Sequence, residues 1–292
     1  MAFFFGDKMN YQHIFHAGNA ADVLKHLVLL GVLRALARKA TPFLYLDTHA
    51  GGGLYDLNAA AALKTAEFQT GIGRLWATRE AANVPPLVED YLNIVAARNP
   101  HGTLRTYPGS PLFAQAVARS DDQLILFEQA AEVCNYLKAL CADDPRVSAH
   151  NSDGYAALKA FLPPRTRKRG VVLIDPPFED RNEFTRVGEA LIGAVERWPT
   201  GIFLVWYPIT AQSEDAQLLA RLRASGLRKI LSVEWCWHGC RLPKGMNGSG
   251  MLIVNPPWQF EREMDTLLQW LHPQLAPDAR AGKVQVQWCV PE

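Results

Sequence analysis

Seven short runs of aliphatic and aromatic residues punctuate the chain: "FLYLD" (43–47), "QLILFE" (123–128), "RVSAH" (146–150), "GVVLID" (170–175), "GIFLVWY" (201–207), "RKILSVEW" (228–235) and "GMLIVN" (250–255). Their length and β-branched content predict strands. Between most of them the apolar positions recur at helical spacing, over 20–39, 111–119, 130–142, 154–161, 183–197 and 212–224. Strands alternating with helices predict an α/β fold with a doubly wound, mostly parallel sheet. The last two runs are joined by 236–249, which is glycine-rich and has no helical period. That predicts a hairpin, and hence one late antiparallel strand.

One interval breaks the alternation. About seventy residues separate the first run from the second, too many for a simple crossover. Within it, 64–80 and 86–98 have helical patterns, divided by "NVPP" (83–86). Residues 54–105 are therefore expected to be a small helical insertion into a larger domain built from 1–53 and 106–292.

Composition narrows the class. Half of the 292 residues are apolar and a fifth are charged, as in a soluble globular protein. No apolar run approaches the ~20 residues that span a bilayer. The opening "MAFFFGDKMN" is too short and lacks the flanks of a secretory signal, so a cytoplasmic location is expected, with residues 1–8 as an extension before Met9. The five cysteines include no C-x-x-C pair, which fits free thiols. His238 between Cys236 and Cys240 lacks a second ligand pair, so no metal is expected. The net charge of +1 does not advertise nucleic-acid binding, although a local basic face remains compatible with it.

The candidate chemistry lies at the strand ends. "FLYLDTHAGGG" is a strand, an acid, then D-x-x-x-G-x-G: Asp47, Gly51 and Gly53. Glycines let backbone approach a ligand, and the C-terminal ends of parallel strands form the ligand crevice. By itself the pattern also fits an ordinary turn. The second long run ends in Glu128, an acid placed to accept hydrogen bonds from ribose hydroxyls. After the third comes "NSDG", where Asp153 and Gly154 could meet an adenine ring; Asp153 also fits a cap for the following helix.

The fourth run ends in Asp175-Pro176-Pro177-Phe178. Prolines cannot continue a ladder, so they stop the strand and stiffen the turn while leaving carbonyl acceptors. A rigid ledge with a carboxylate, carbonyls and an aromatic face suits the exocyclic amine of a nucleobase. Asp175 and the Pro176 carbonyl would hold both N–H groups, freeing the nitrogen lone pair, while Phe178 stacks on the flipped base. "NPPW" (255–258) fits the same pattern, but it follows the antiparallel strand and should end at the opposite edge. The same geometry puts Arg241, Lys244, Met246 and Asn247 on the cleft side. Trp206, Tyr207 and Pro208 are expected to wall the pocket, with ordinary core packing as the alternative. "PPRTRKRG" (163–170), the most basic stretch, reads as a solvated loop at the far edge. In "HAGNAADVLKH" (16–26), Asn19 is a good N-cap, the spacing of Asp22 and His26 allows a contact between them, His26 reads as a satisfied helix histidine, and His13 and His16 read as surface residues.

Together the glycine loop, the acid after the second run and D-P-P-F resemble the Rossmann-like, class I, S-adenosylmethionine-dependent amino methyltransferases. "YQHIFHAGNAADVLKH", "FLYLDTHAGGGLY", "YPGSP", "LIDPPFE", "PTGIFLVWYP", "SGLRKIL" and "SGMLIVNPPW" are more specifically similar to the RlmJ family, in the same order from Met9 to the C-terminus. The resemblance implies N6-methylation of an adenine in 23S ribosomal RNA, with S-adenosylmethionine as cofactor and naked rRNA or an early assembly intermediate as partner. It implies that Asp175 orients the amine and accepts its proton. It implies that His26, His49, Ser110, Glu128, Asp153 and Gly154 line the cofactor, and that Tyr11 meets the RNA. The family motif commonly has Tyr where this chain has Phe178, so stacking is kept and a hydroxyl is lost. A DNA adenine methyltransferase and a non-catalytic, cofactor-binding RNA module are the rival readings.

Overall fold

The computed structural model describes residues 12–180, 182–211, 214–237, 245–276 and 282–291. After a turn of 3-10 helix at His13–Phe15 come α1 (Ala20–Ala37), β1 (Phe43–Asp47), β2 (Leu54–Asp56), α2 (Ala60–Thr65), α3 (Ile72–Ala77), α4 (Pro86–Ala97) and β3 (Thr106–Pro108). The chain continues through α5 (Ser110–Val117), β4 (Gln123–Glu128), α6 (Ala131–Leu140), β5 (Val147–Asn151), α7 (Gly154–Phe161), β6 (Arg169–Ile174) and α8 (Glu183–Arg197). It closes with β7 (Ile202–Thr210), α9 (Glu214–Ala224), β8 (Ile230–Cys236), β9 (Met246–Val254), α10 (Phe260–Leu275) and β10 (Lys283–Val290).

Eight strands form one sheet in the order β10-β8-β9-β7-β6-β1-β4-β5, and β2 and β3 form a separate ribbon. β1 pairs in parallel with both β4 and β6, and β5 and β7 extend the parallel set outward. The winding reverses at β1, so the crevice rule places a ligand at the C-terminal ends beside it. β9 is the expected late antiparallel strand, inserted between β7 and β8. The structure adds a further antiparallel strand, β10, on the edge of β8. Neither α10 nor β10 was among the expected elements, although α10 buries Phe260, Met264, Leu267, Leu268, Leu271 and Leu275 at helical spacing and β10 alternates polar and apolar residues.

Alternation along the strands sorts the core into two layers. Phe43, Tyr45, Val171, Leu173 and Leu204 face α1, α4, α5 and α10, whereas Leu44, Leu46, Val172, Ile174, Phe203 and Val205 face α7, α8 and α9. α1 is buried all round from Ala21 to Leu33, the mark of a central helix. Burying each of its leucines contributes ~2 kcal/mol. The segment between β2 and β3 shares this core: Leu75, Leu87, Tyr91 and Val95 pack in the same cluster as α1, and Leu54–Asp56 pairs with Thr106–Pro108 to tie its two ends together.

The antiparallel run of β9 decides which proline motif meets the crevice. Met246 pairs with Thr210 at the C-terminal end of β7, and Val254 pairs with Phe203 near its start. Asn255 therefore sits at the opposite edge, where its Nδ2 donates to the carbonyls of Pro199 (2.9 Å) and Gly201 (2.8 Å) at the entry to β7. No helix among the described residues is long and apolar enough to cross a membrane.

Candidate active site

Asp47 ends β1 fully buried, and its carboxylate collects three donors: Tyr45 Oη at 2.6 Å, Ser110 Oγ at 2.6 Å and the His49 amide at 3.1 Å. Burial pushes its pKa up to about 6 against the pull of those hydrogen bonds, and the negative charge of Asp175 adds to the rise. The loop that follows needs glycine. Gly51 and Gly53 have φ of 61° and 78°, and a Cβ on Gly51 would lie 2.3 Å from Tyr55 Oη. His49 is half-buried, edge-on to Tyr155, with Nδ1 2.7 Å from Thr48 Oγ1; burial lowers its pKa to about 4, so it is neutral at pH 7.

Glu128, at the end of β4, holds the glycine loop from across the crevice. Its Oε2 accepts from the Gly51 amide (3.1 Å) and its Oε1 from Ala130 (2.7 Å). Asp153 is the N-cap of α7: Oδ1 accepts from the amides of Tyr155 (2.7 Å) and Ala156 (3.2 Å). Oδ2 has no part in the cap. Gly154 is required by packing, because a Cβ there would lie 2.0 Å from the Thr48 carbonyl oxygen. Close approach of α7 to the β1 loop brings Asp153 and His49 together.

Asp175 extends β6 by one residue on the α1 face of the sheet, the face of Asp47. α1 places Lys25 there: Nζ donates to Asp175 Oδ2 at 2.6 Å and lies 2.8 Å from Asp22 Oδ1. Asp22 Oδ2 also meets His13 Nε2 (2.9 Å) and the Gly18 amide (2.9 Å). Burial alone would lower the Lys25 pKa, but Asp175 and Asp22 hold it well above the usual lysine range. Asp22 is held well below the usual carboxylate range: His13 and Lys25 overcome its burial. Asp175 is thereby tied to α1 through Oδ2, and Oδ1 takes no part in this ion pair. Pro176 is buried, and Phe178 takes a left-handed φ of 50°, a strained conformation of the kind that gathers at functional turns. Its ring stands edge-on to Trp206 at 5.6 Å and against Phe184 at 4.6 Å.

Trp206 and Tyr207, adjacent on β7, point to opposite faces. Ile174 pairs with Val205, so Trp206 lies next to Asp175 on its side, with Nε1 donating to Ser249 Oγ at 2.8 Å. Tyr207 is fully buried in the other layer and donates to Glu234 Oε1 at 2.6 Å; it walls no part of the crevice. Pro208 is a strand residue paired with Ser249. Asn247 is fully buried in β9 and Met246 begins that strand, so neither is a loop residue. Tyr11, Arg241 and Lys244 lie outside the described residues.

The N-terminal block holds what the motif reading overlooked. Asn19 caps α1 as expected, accepting from the Asp22 amide at 2.9 Å. Of the contacts open to it, Asp22 takes Lys25 and His13 rather than His26. His26 is fully buried, with Nδ1 2.7 Å from Tyr107 Oη and its ring 4.8 Å from Phe113, and burial lowers its pKa well below the usual histidine value. His13 is not a plain surface residue but a partner of Asp22, stacked edge-on to Tyr55. A signal for Lys25 existed: between Ala20 and Leu33 only Asp22, Lys25 and His26 are polar in an otherwise apolar helix. Buried charges need partners.

An acid-and-glycine loop after the first strand of a doubly wound sheet, facing Asp-Pro-Pro-Phe after the neighbouring β6, defines a Rossmann-like methyltransferase. Residues 40–290 match the family described as "Ribosomal RNA large subunit methyltransferase D, RlmJ". The chain belongs to this family. It is 41% identical over 284 residues to the ribosomal RNA large subunit methyltransferase J of Escherichia coli, covering 97% of this chain and the whole of that one. The Haemophilus influenzae protein of the same name is 39% identical over 285 residues, again 97% of this chain and all of its own. A crystal structure of a Legionella pneumophila protein superposes with a TM-score of 0.86 at 34% identity, covering 94% of this chain and 98% of that one.

Proposed function

We propose that this chain transfers the methyl group of S-adenosylmethionine to N6 of one adenine in 23S ribosomal RNA, acting in the cytoplasm on naked RNA or an early assembly intermediate. The observation that carries this reading is Asp175, set by Lys25 on a proline ledge on the same sheet face as Asp47 and beside the bare glycine loop. The names of the relatives support ribosomal RNA as the substrate. In this reading 54–105 is a helical insertion into a methyltransferase domain made of 1–53 and 106–292.

The residues fit the cofactor. The Gly51–Gly53 loop stays free of side chains where Tyr55 closes in, and acids stand on either side of it. Glu128 has lone pairs left for ribose hydroxyls, Asp47 and Ser110 suit the cationic end, and Asp153, Gly154 and His49 border the base. When bound, S-adenosylmethionine supplies an electrophilic methyl on a sulfonium. His26 backs this wall through Tyr107, and Tyr207 is left out.

Asp175 Oδ1 and the Pro176 carbonyl accept the two N–H groups of the target amine, which localises its lone pair. Lys25 holds Oδ2, so the carboxylate cannot rotate away and its charge stays balanced. Phe178 and Trp206 grip the flipped base by stacking. Asp175 would take the proton that the amine nitrogen sheds once it is methylated and would pass it to solvent.

The test is transfer of labelled methyl to protein-free 23S rRNA from cells lacking this gene, with duplex DNA alongside. Label recovered as N6-methyladenosine is expected. Label on DNA alone would overturn the substrate, and no transfer with cofactor bound would overturn the enzyme reading on naked RNA.

A further inference from the structure

The basic stretch 163–170 plays no part in the crevice. It precedes β6, so it lies at the opposite edge of the sheet, with the starts of β1, β4 and β5. There it gathers other cations. Arg167 Nε donates to the Asp121 carbonyl (2.9 Å), Arg169 donates to those of Thr41 (2.6 Å) and Leu36 (3.1 Å), and Arg119 reaches Lys39 O (2.8 Å). Helix α1 thus delivers Arg38 and Lys39 to the same edge.

Folding accounts for some of these cations. Arg119 is paired with buried Asp122, and Arg146 with Asp144. Arg169 closes the last carbonyls of α1. Arg38, Lys39, Arg165, Arg167 and Lys168 form no ion pair among the described residues, and the exposed carboxylates in the segments entering β4 and β5 are Asp121 and Asp143. A chain with a net charge of only +1 has therefore concentrated an excess of positive charge on one pole, which leaves the remainder net negative.

The pole contains a groove of about 410 Å³ whose lining includes Arg146 and Arg167, the hydroxyl residues Ser120, Ser148 and Thr166, and Asp122, whose carboxylate is engaged by Arg119. Guanidinium beside hydroxyl is the chemistry that contacts phosphate oxygens. A protein partner would need an apolar or aromatic anchor. The large exposed apolar residues among those described are Leu63, Tyr136, Trp258 and Trp288, and none lines this groove.

The geometry points to a second RNA-binding surface: the pole around Arg165, Arg167 and Lys168 holds the phosphate backbone of an rRNA segment remote from the target adenine. β6 separates it from Asp175 by roughly 20 Å, within reach of one folded RNA element. This rests on the proposed rRNA substrate. It explains how a crevice that admits a single base acquires affinity and register: the crevice does chemistry and the pole positions the RNA.

The test is the triple variant Arg165→Gln, Arg167→Gln, Lys168→Gln, compared with wild type on 23S rRNA and on the shortest fragment the wild type methylates. Binding of 23S rRNA is also measured by filter retention without cofactor, across a salt series. For the variant, KM on 23S rRNA should rise roughly 10-fold and the slope of log affinity against log salt should fall by about 2. Cofactor affinity and turnover on the short fragment should stay unchanged. Equal KM and equal salt slope for the two proteins would overturn the second surface. Loss of binding to assembly particles, with naked RNA unaffected, would assign the pole to a ribosomal protein and also overturn it. A wild type that methylates no RNA, yet binds it with a slope the variant loses, would sink the substrate reaction while keeping the surface.

Discussion

Lys25 Nζ bridges Asp175 Oδ2 and Asp22 Oδ1, at 2.6 and 2.8 Å, across 150 residues of sequence between Lys25 and Asp175. All three side chains are largely withdrawn from water. A cation between two carboxylates keeps both charges buried at tolerable cost, and it fixes Asp175 through Oδ2, leaving Oδ1 out of the pair.

Lys25→Met should therefore damage both stability and rate. It takes the cation from between two buried carboxylates; Asp22 keeps His13 and the Gly18 amide, whereas Asp175 loses its ion-pair partner, a loss of ~3–5 kcal/mol. Turnover should fall ~10²-fold or more, because Asp175 loses its fixed orientation. Lys25→Arg should recover part of the stability. Chemical denaturation and single-turnover kinetics check the two effects separately; a Met variant with wild-type turnover would dismiss the positioning role.

Asp175→Asn keeps the shape of the ledge and removes the proton acceptor. Methyl transfer should drop ~10²–10⁴-fold. Cofactor affinity, measured by calorimetry, should change only severalfold, since the proposed cofactor contacts are Asp47 and Glu128. A parallel loss of affinity would show that Asp175 serves the cofactor instead.

The raised pKa of Asp47 has a signed consequence for pH. Its folded value of about 6 exceeds the unfolded ~3.9, so the native state holds a proton that the unfolded chain releases in between. The stability it contributes is complete below about pH 4 and is lost as pH rises through about 6. Asp47→Asn should remove that slope, so the variant gains on wild type in urea midpoint from pH 4 to 7. Cofactor affinity of the wild type should weaken as pH falls below about 6, when the carboxylate becomes neutral.

The neighbours on β7 should behave oppositely. Trp206→Ala should raise KM for RNA with little effect on cofactor binding, because it removes a stacking wall worth ~1–3 kcal/mol per base. Tyr207→Phe deprives Glu234 of a donor and should cost ~1 kcal/mol of stability without touching KM. Kinetics and thermal denaturation on both variants test the facing of the strand.

Gly154→Ala should destabilise by ~1–3 kcal/mol, since its Cβ would meet the Thr48 carbonyl oxygen at 2.0 Å and the backbone must shift. Asp153→Ala should cost only the cap, ~1 kcal/mol. A Gly154→Ala variant as stable as wild type would show that α7 is free to move off the β1 loop.

Much of this molecule follows from its sequence alone. Periods of two and 3.6 placed seven of the eight strands of the large sheet and most helices, and the antiparallel return of 250–255 sent Asn255 to the far edge and left Asp175 in the crevice. The acids and glycines were legible because a parallel strand must end on the ligand side. Two things were not. A strand buried on both faces is apolar at both parities, so its pattern carries no phase; only the packed sheet turned Trp206 toward Asp175 and Tyr207 away. A charge inside an apolar helix announces a partner without naming it. Asp22 could have turned to His26, and Lys25 to any carboxylate. Packing α1 against β6 decided that Lys25 meets Asp175, because side-chain contacts between distant segments are fixed by the summed burial of whole elements rather than by anything local.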